Sequence, residues 1–176
     1  VDRRISTSEE WKSALDQVRV REKELTRAHD RLAAERRSGP WLEVPRDYAY
    51  KGPNGNARLA DLFEGPRQLI VYHHMLKPAD EHPCSGCGMV GDQIPHLSHL
   101  HQRDTTLVFV SRAPIAEIGA FRERMGWSGP WYETTDGFNA DHDVTGGFGL
   151  NVFYRRGEKV YRTYFTRDRG GGALGT

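Results

Sequence analysis

Cys84 and Cys87 are the two thiols in a chain of 176 residues, and the run Cys84-Ser85-Gly86-Cys87 sets them three positions apart. Disulfide exchange needs an attacking thiolate and a second thiol that resolves the mixed disulfide, and two intervening residues let both sulfurs meet across one helical turn. If Cys84 opens a helix, unpaired amides and the helix dipole favour its thiolate, while Cys87, one turn in, becomes the shielded resolving thiol. Cys84 is therefore the expected attacker. A pair this close cannot staple distant loops, so the cysteines are expected to serve chemistry.

The same pair can be read as metal ligands. Eight histidines are many for this length, and His96, His99 and His101 crowd the segment after the cysteines. Thiolates with an imidazole suit copper(I) or zinc. The bland reading of His96 and His99, solvent-facing at a helix end, ranks ahead of ligation. His142, in Asp141-His142-Asp143, is a more distant ligand candidate. His73 and His74 are neighbours on a predicted strand and so face opposite ways, which lets at most one line a dithiol pocket; His73 is read as packing. Arg112 either neutralises a thiolate or sits in solvent, and Trp127, Trp131 and Tyr132 read as core and lid packing. Dithiol exchange by Cys84 and Cys87 ranks first, a copper or zinc protein using Cys84, Cys87 and a histidine second, and a non-catalytic interaction protein third. No cofactor and no metal are assigned, and the partner is a protein or small-molecule thiol or disulfide.

The elements that position the pair follow from periodicity. Residues 8–38 hold no proline or glycine, and Trp11, Leu15, Val18, Leu25 and Leu32 recur at spacings of three, four and seven, which predicts one long amphipathic helix. Ser6 or Thr7 with Glu9 or Glu10 makes a capping-box start, and Gly39-Pro40 a stop. The stripe repeats like a heptad, but Glu22 and His29 fall on the alternate seam. Packing on its own domain is the preferred reading, with homodimerisation through this helix the other. From Trp41 onward, Tyr48-Ala49-Tyr50, a Gly52-Pro53-Asn54-Gly55-Asn56 turn and Arg58-Leu59 predict a β-hairpin. Leu59 to Phe63 predict a helical turn, and Gln68–His73 a buried strand leading by a polar loop to Cys84. Val90, Ile94, Leu97 and His101 share a helical face that Pro95 should kink or restart. Thr105–Ser111 reads as a strand, 114–125 as a helix, Trp131–Thr134 as a weak extended piece, and 151–154 with 159–165 as a closing hairpin. This is α/β architecture with a mixed central sheet. The expected domains are a helical extension at 1–40, the α/β domain at 41–169 and a flexible tail at 170–176.

Composition narrows the function. The formal charge of +1, with both signs interspersed, argues against a dedicated nucleic-acid or membrane-surface binder. No stretch reaches the roughly 18 apolar residues of a membrane span, and the first residues lead into a charged helix, so a cytoplasmic protein is expected.

The order hairpin, Leu59-Ala60-Asp61-Leu62-Phe63-Glu64-Gly65, buried strand, C-x-x-C at a helix start, strand, helix, hairpin resembles a redoxin. Leu69-Ile70-Val71-Tyr72-His73, Arg103-Asp104-Thr105-Thr106-Leu107, Val110-Ser111-Arg112-Ala113-Pro114 and Arg124-Met125-Gly126-Trp127 narrow the likeness to the bacterial family called domain of unknown function 899, over residues 10–170. The resemblance implies a thioredoxin-like fold, a mixed central sheet flanked by helices, and dithiol-disulfide oxidoreductase activity. Two departures stand out. Thioredoxins place a cis-proline facing the dithiol, whereas Gly146-Gly147-Phe148-Gly149-Leu150-Asn151 occupies that stretch here, and His82-Pro83 replaces the thioredoxin lead-in to the first cysteine. A redoxin-like copper chaperone spaces its cysteines one residue wider, and a peroxiredoxin carries Thr where this chain has Glu81.

Overall fold

The computed structural model describes residues 4–94, 96–134 and 137–167. The tail expected at 170–176 and Pro95 lie outside them. The chain divides into two compact units, residues 1–40 and 41–176.

The first unit is the helix α1, Ser8–Ser38. Of the two candidate caps, Thr7 and Glu10 make the box: the Glu10 amide donates to the Thr7 hydroxyl at 3.3 Å, and the Thr7 amide to the Glu10 carboxylate at 2.9 Å. Glu9 and Glu10 in the first turn and Arg36 and Arg37 in the last complement the helix dipole. Gly39 ends it with extended backbone, φ −65° and ψ 161°, because a residue before proline is driven out of the α region.

The second unit runs β1 Leu42–Glu43, β2 Ala49–Gly52, β3 Gly55–Arg58, a 3-10 turn at Asp61–Phe63, β4 Gln68–His73, α2 Ser85–Asp92, α3 Ser98–His101, β5 Thr105–Ser111, α4 Ile115–Met125, β6 Trp131–Thr134, α5 Phe138–Asp141, β7 Gly149–Arg156 and β8 Lys159–Thr166. The strands form one sheet in the order β1-β8-β7-β4-β5-β6-β2-β3. β4, β5 and β6 are parallel and the remaining pairs antiparallel, which makes the sheet mixed. The hairpin β2–β3 turns at Pro53-Asn54, with Gly55 at φ 107°, a conformation that glycine takes without steric cost.

Alternation along the central strands buries both faces. Leu69 and Val71 of β4, with Val108 and Val110 of β5, join a cluster containing Phe63, Phe138 and Phe153. Tyr72, Leu107 and Phe109 join Cys87, Val90, Ile118, Phe121 and Trp131 on the other side. Strands covered on both faces read as continuous apolar runs, as β4 and β5 do.

The restart expected along the face of Val90, Ile94, Leu97 and His101 is present: α2 ends at Asp92 and the one-turn α3 resumes at Ser98. Ile94 precedes a proline, which disfavours helical backbone there. The helix predicted at 114–125 begins at Ile115, with Pro114 outside as its cap residue.

α2 is held by a close approach. Gly91 faces the Trp127 ring, where a Cβ would lie 2.3 Å from the nearest ring carbon, and the indole N–H donates to Asp92 at 2.8 Å. Replacing a helical glycine by alanine ordinarily stabilises by about 1 kcal/mol. Gly91→Ala should instead lower the urea-unfolding free energy by about 1–3 kcal/mol through overpacking. Gly88→Ala, with open space at its Cβ, is the control and should be neutral or stabilising. Equal behaviour of the two variants would show that Trp127 does not rest on α2.

Candidate functional site

β4 delivers the chain to the site. It lies parallel to β5 and antiparallel to β7, and the loop beyond it is tied to the end of β5 by two bonds. The His74 amide donates to the Val110 carbonyl at 2.9 Å, and the Arg112 amide to the Leu76 carbonyl at 3.2 Å. The loop then reaches Cys84, the N-cap of α2. The Cys84 sulfur accepts the Cys87 amide N–H at 3.4 Å, and its carbonyl accepts the Gly88 amide at 3.0 Å.

The two thiols differ in access. Cys84 is partly exposed, whereas Cys87 is 1% exposed and belongs to the core. Burial pushes the Cys87 thiol up from its ordinary value. Hydrogen bonds from the Tyr72 hydroxyl and the Met75 amide oppose that rise, and the neighbouring Cys84 adds to it. Tyr72, 1% exposed, is likewise held well above the usual phenol range by burial first and then by Cys87.

Cys84 opens onto a cleft of about 1010 Å³ at the carboxyl ends of the parallel strands. His73 and His74 border it from the end of β4, Arg112 from beyond β5, Thr134 from β6, and Asn139 from α5. Gly146 and Gly147, from the stretch where thioredoxins keep their proline, complete the wall, and the described residues contain no cis peptide bond. Crevices of this kind, outside the carboxyl ends of strands, are where open α/β sheets take ligands.

Both histidines reach the cleft, contrary to the expectation that at most one could. His74 lies past the last strand residue, and the cleft spans the rim where the two buried layers meet. His73 packs as expected, its buried ring stacked on Phe138, and it also bonds two polar side chains. The Asn151 side-chain N–H donates to the His142 carbonyl at 3.2 Å and to His73 Nε2 at 3.0 Å, so Nε2 accepts and Nδ1 carries the proton, donating to Asn139 Oδ1 at 2.8 Å. Arg162 donates to Asn151 Oδ1 at 2.6 Å and pairs with Asp143 at 2.6 Å. Burial lowers His73 to about 4, so the ring is neutral at pH 7, with both nitrogens engaged. His74 is also lowered to about 4 by burial. Its Nδ1 accepts from the Leu76 amide at 3.0 Å, which leaves the proton on Nε2, buried without an acceptor among the described residues.

Of the remaining histidines, His82 lines the cleft together with Cys84. The rings of His96 and His99 stack 6.3 Å apart, His101 bonds Thr106, and His142 donates from Nδ1 to the Phe138 carbonyl at 2.8 Å. Among the described residues, no three side chains of His, Cys, Asp or Glu are grouped to hold a metal ion. Trp131 is buried as expected for core packing. Asn139, Asn151 and Arg162 escaped the sequence reading; the visible signal was Asn151, a polar residue between Leu150 and Val152 in the apolar half of β7.

A mixed sheet flanked by helices, with C-x-x-C at a helix start after a buried strand, defines the thioredoxin-like class. Residues 1–176 match the family described as bacterial protein of unknown function (DUF899), and the chain belongs to that family. The fold is similar to that of a candidate thiol:disulfide interchange protein DsbE from Chlorobium tepidum, at TM-score 0.54 and 14% identity, covering 78% of this chain and 94% of that one. It is also similar to peroxidoxin BcpB from Mycobacterium tuberculosis, at TM-score 0.51 and 18% identity over 77% and 92%. A mutant of PrxQ from Xylella fastidiosa matches at TM-score 0.50 and 15% identity over 77% and 95%. No curated protein matches the chain in sequence. No helix among the described residues is long and apolar enough to cross a membrane.

Proposed function

We propose that the protein is a dithiol-disulfide oxidoreductase in which Cys84 attacks and Cys87 resolves. The observation that carries this reading is the asymmetry of the pair: a partly exposed Cys84 caps α2 and opens on a cleft, while Cys87, one turn in, is buried against it. The Cys84 thiolate attacks one sulfur of a substrate disulfide, forming a mixed disulfide and releasing a thiolate. Cys87, deprotonated, then attacks the Cys84 sulfur, so the substrate leaves as its second thiol and the protein holds a Cys84–Cys87 disulfide. The protein loses two electrons and the substrate gains them; the reverse sequence oxidises a dithiol. The thiol-disulfide character of the DsbE neighbour agrees with this chemistry.

The decisive measurement is a redox titration of metal-free protein against glutathione, with thiol labelling read by mass spectrometry. A reversible two-electron transition of Cys84 and Cys87 between roughly −120 and −280 mV is expected. No transition there, with stoichiometric zinc or copper binding instead, would replace the dithiol reading by the metal one.

A further inference from the structure

We propose that the cleft beside Cys84 selects small disulfides that carry carboxylates, with Arg112 and Lys77 as the groups that receive the anion. The inference rests on the dithiol reading and adds its substrate class. The volume, about 1010 Å³, suits a small molecule better than a bare contact surface.

The chemistry of the lining points to an anion. Lys77, Arg112, Asp80 and Glu133 are its charged residues among those described. Glu133 is already committed, accepting from Lys51 at 2.9 Å and from the Ile115 amide at 2.9 Å. Lys77 and Arg112 have no ion-pair partner among the described residues, which leaves two uncommitted cations against Asp80. The neutral groups lean the same way. His73 occupies the Asn139 oxygen, so the amide N–H groups of Asn139 remain to donate. Uncommitted donors thus outnumber acceptors, and an acceptor-rich anionic group complements them. Two uncommitted cations against one uncommitted carboxylate leave the cleft with a surplus of positive charge, which favours encounter with anions.

The test uses full-length Cys87→Ser protein, in which the adduct at Cys84 cannot be resolved. Three disulfides are compared: dithiodipropionate, with two carboxylates, neutral bis(hydroxyethyl) disulfide, and cystamine, with two ammonium groups. Adduct formation at Cys84 is followed by mass spectrometry, and each rate is divided by that of the same disulfide with a simple free thiol. The normalised rate for dithiodipropionate should exceed the neutral rate by about tenfold, the cystamine rate should fall below it, and added salt should compress the series. Adding Arg112→Gln and Lys77→Gln, both exposed positions, should collapse the charge preference, bringing the normalised rates for the three disulfides together. Equal normalised rates for the three compounds, or a preference for cystamine, overturn the proposal and leave the dithiol reading standing. Failure of the neutral disulfide to form any adduct at Cys84 overturns the dithiol reading, and this proposal with it. The series in protein with Arg112 and Lys77 intact decides the matter even if the added substitutions prevent folding.

Discussion

Cys87→Ser should turn the protein into a trap: under mildly oxidising conditions a mixed disulfide with glutathione or a partner accumulates at Cys84, while Cys84→Ser accumulates almost none. The expectation follows from the unequal placement of the two sulfurs. Cys84 is reachable from solvent, and its sulfur already accepts the Cys87 amide. Cys87 is 1% exposed, so an external disulfide cannot reach it without displacing the core around it. In the intact protein the mixed disulfide is short-lived, because a well-placed internal thiol acts at an effective concentration of about 10⁵ M or more, far above any free thiol in solution. Serine removes that nucleophile and leaves the attacking step untouched. The intact protein should also resolve its adduct faster as pH rises, since burial holds the Cys87 thiol above its ordinary value and the reacting form is the thiolate. Thiol-trapping gels with mass spectrometry of the adduct make the comparison. Equal trapping by both variants removes the assignment of roles, and trapping by neither removes the mechanism. A metal site would lose affinity with either substitution, because each thiolate supplies a bond, and an interaction protein would be indifferent to both.

Acidification should unfold the second unit well before its carboxylates titrate in bulk. His73 is lowered to about 4 by burial, with His142 and Arg162 acting in the same direction and the bond with Asn139 opposing. His74 is lowered to about 4 by burial against the pull of Asp80. An unfolded histidine titrates near 6.5, so between about 6.5 and 4 the unfolded chain binds protons that the folded state refuses. Stability from these groups is complete above about 6.5 and is lost as pH falls toward 4, by roughly 3 kcal/mol for each histidine. Two such groups give a slope near pH 5 of about 2.7 kcal/mol per pH unit. His142, lowered by burial as well, adds in the same direction. Cys87 works on the alkaline side: its raised thiol contributes stability that is present below the ordinary thiol value and lost as pH climbs above it. Urea-unfolding free energies between pH 8 and pH 4.5 test this, with His74→Phe as the partner measurement. The ring of His74 lies 4.6 Å from that of Trp131 and near Phe121 and Trp127, surroundings that accept a phenyl group. The variant should lose about half of the acid slope that His73 and His74 contribute together. An unchanged slope would mean that His74 is not buried as a neutral ring, and stability rising toward pH 5 would contradict both assignments.

Local chemistry was sufficient for the elements and for the pair of thiols. A proline-free and glycine-free run with apolar residues at helical spacing delimits α1 at both ends, since a capping box and a proline act within one turn of where they stand. β4 and β5 announce themselves as apolar runs because each is covered on both faces. The position of Cys84 at a helix start after a buried strand follows from those elements, because the buried strand must end and the helix must begin between His73 and Ser85. Tertiary structure decided the rest of the site. His73 bonds residues 66 and 78 positions away, and Arg112, Asn139 and Gly146 meet Cys84 only because the parallel strands bring their carboxyl ends to one rim. Periodicity reports which face a residue occupies, not which distant side chain satisfies it. His73 therefore read as packing until the sheet order placed Asn151 beside it, and the charge balance of the cleft emerged only once Glu133 was found bound to Lys51 and the Ile115 amide.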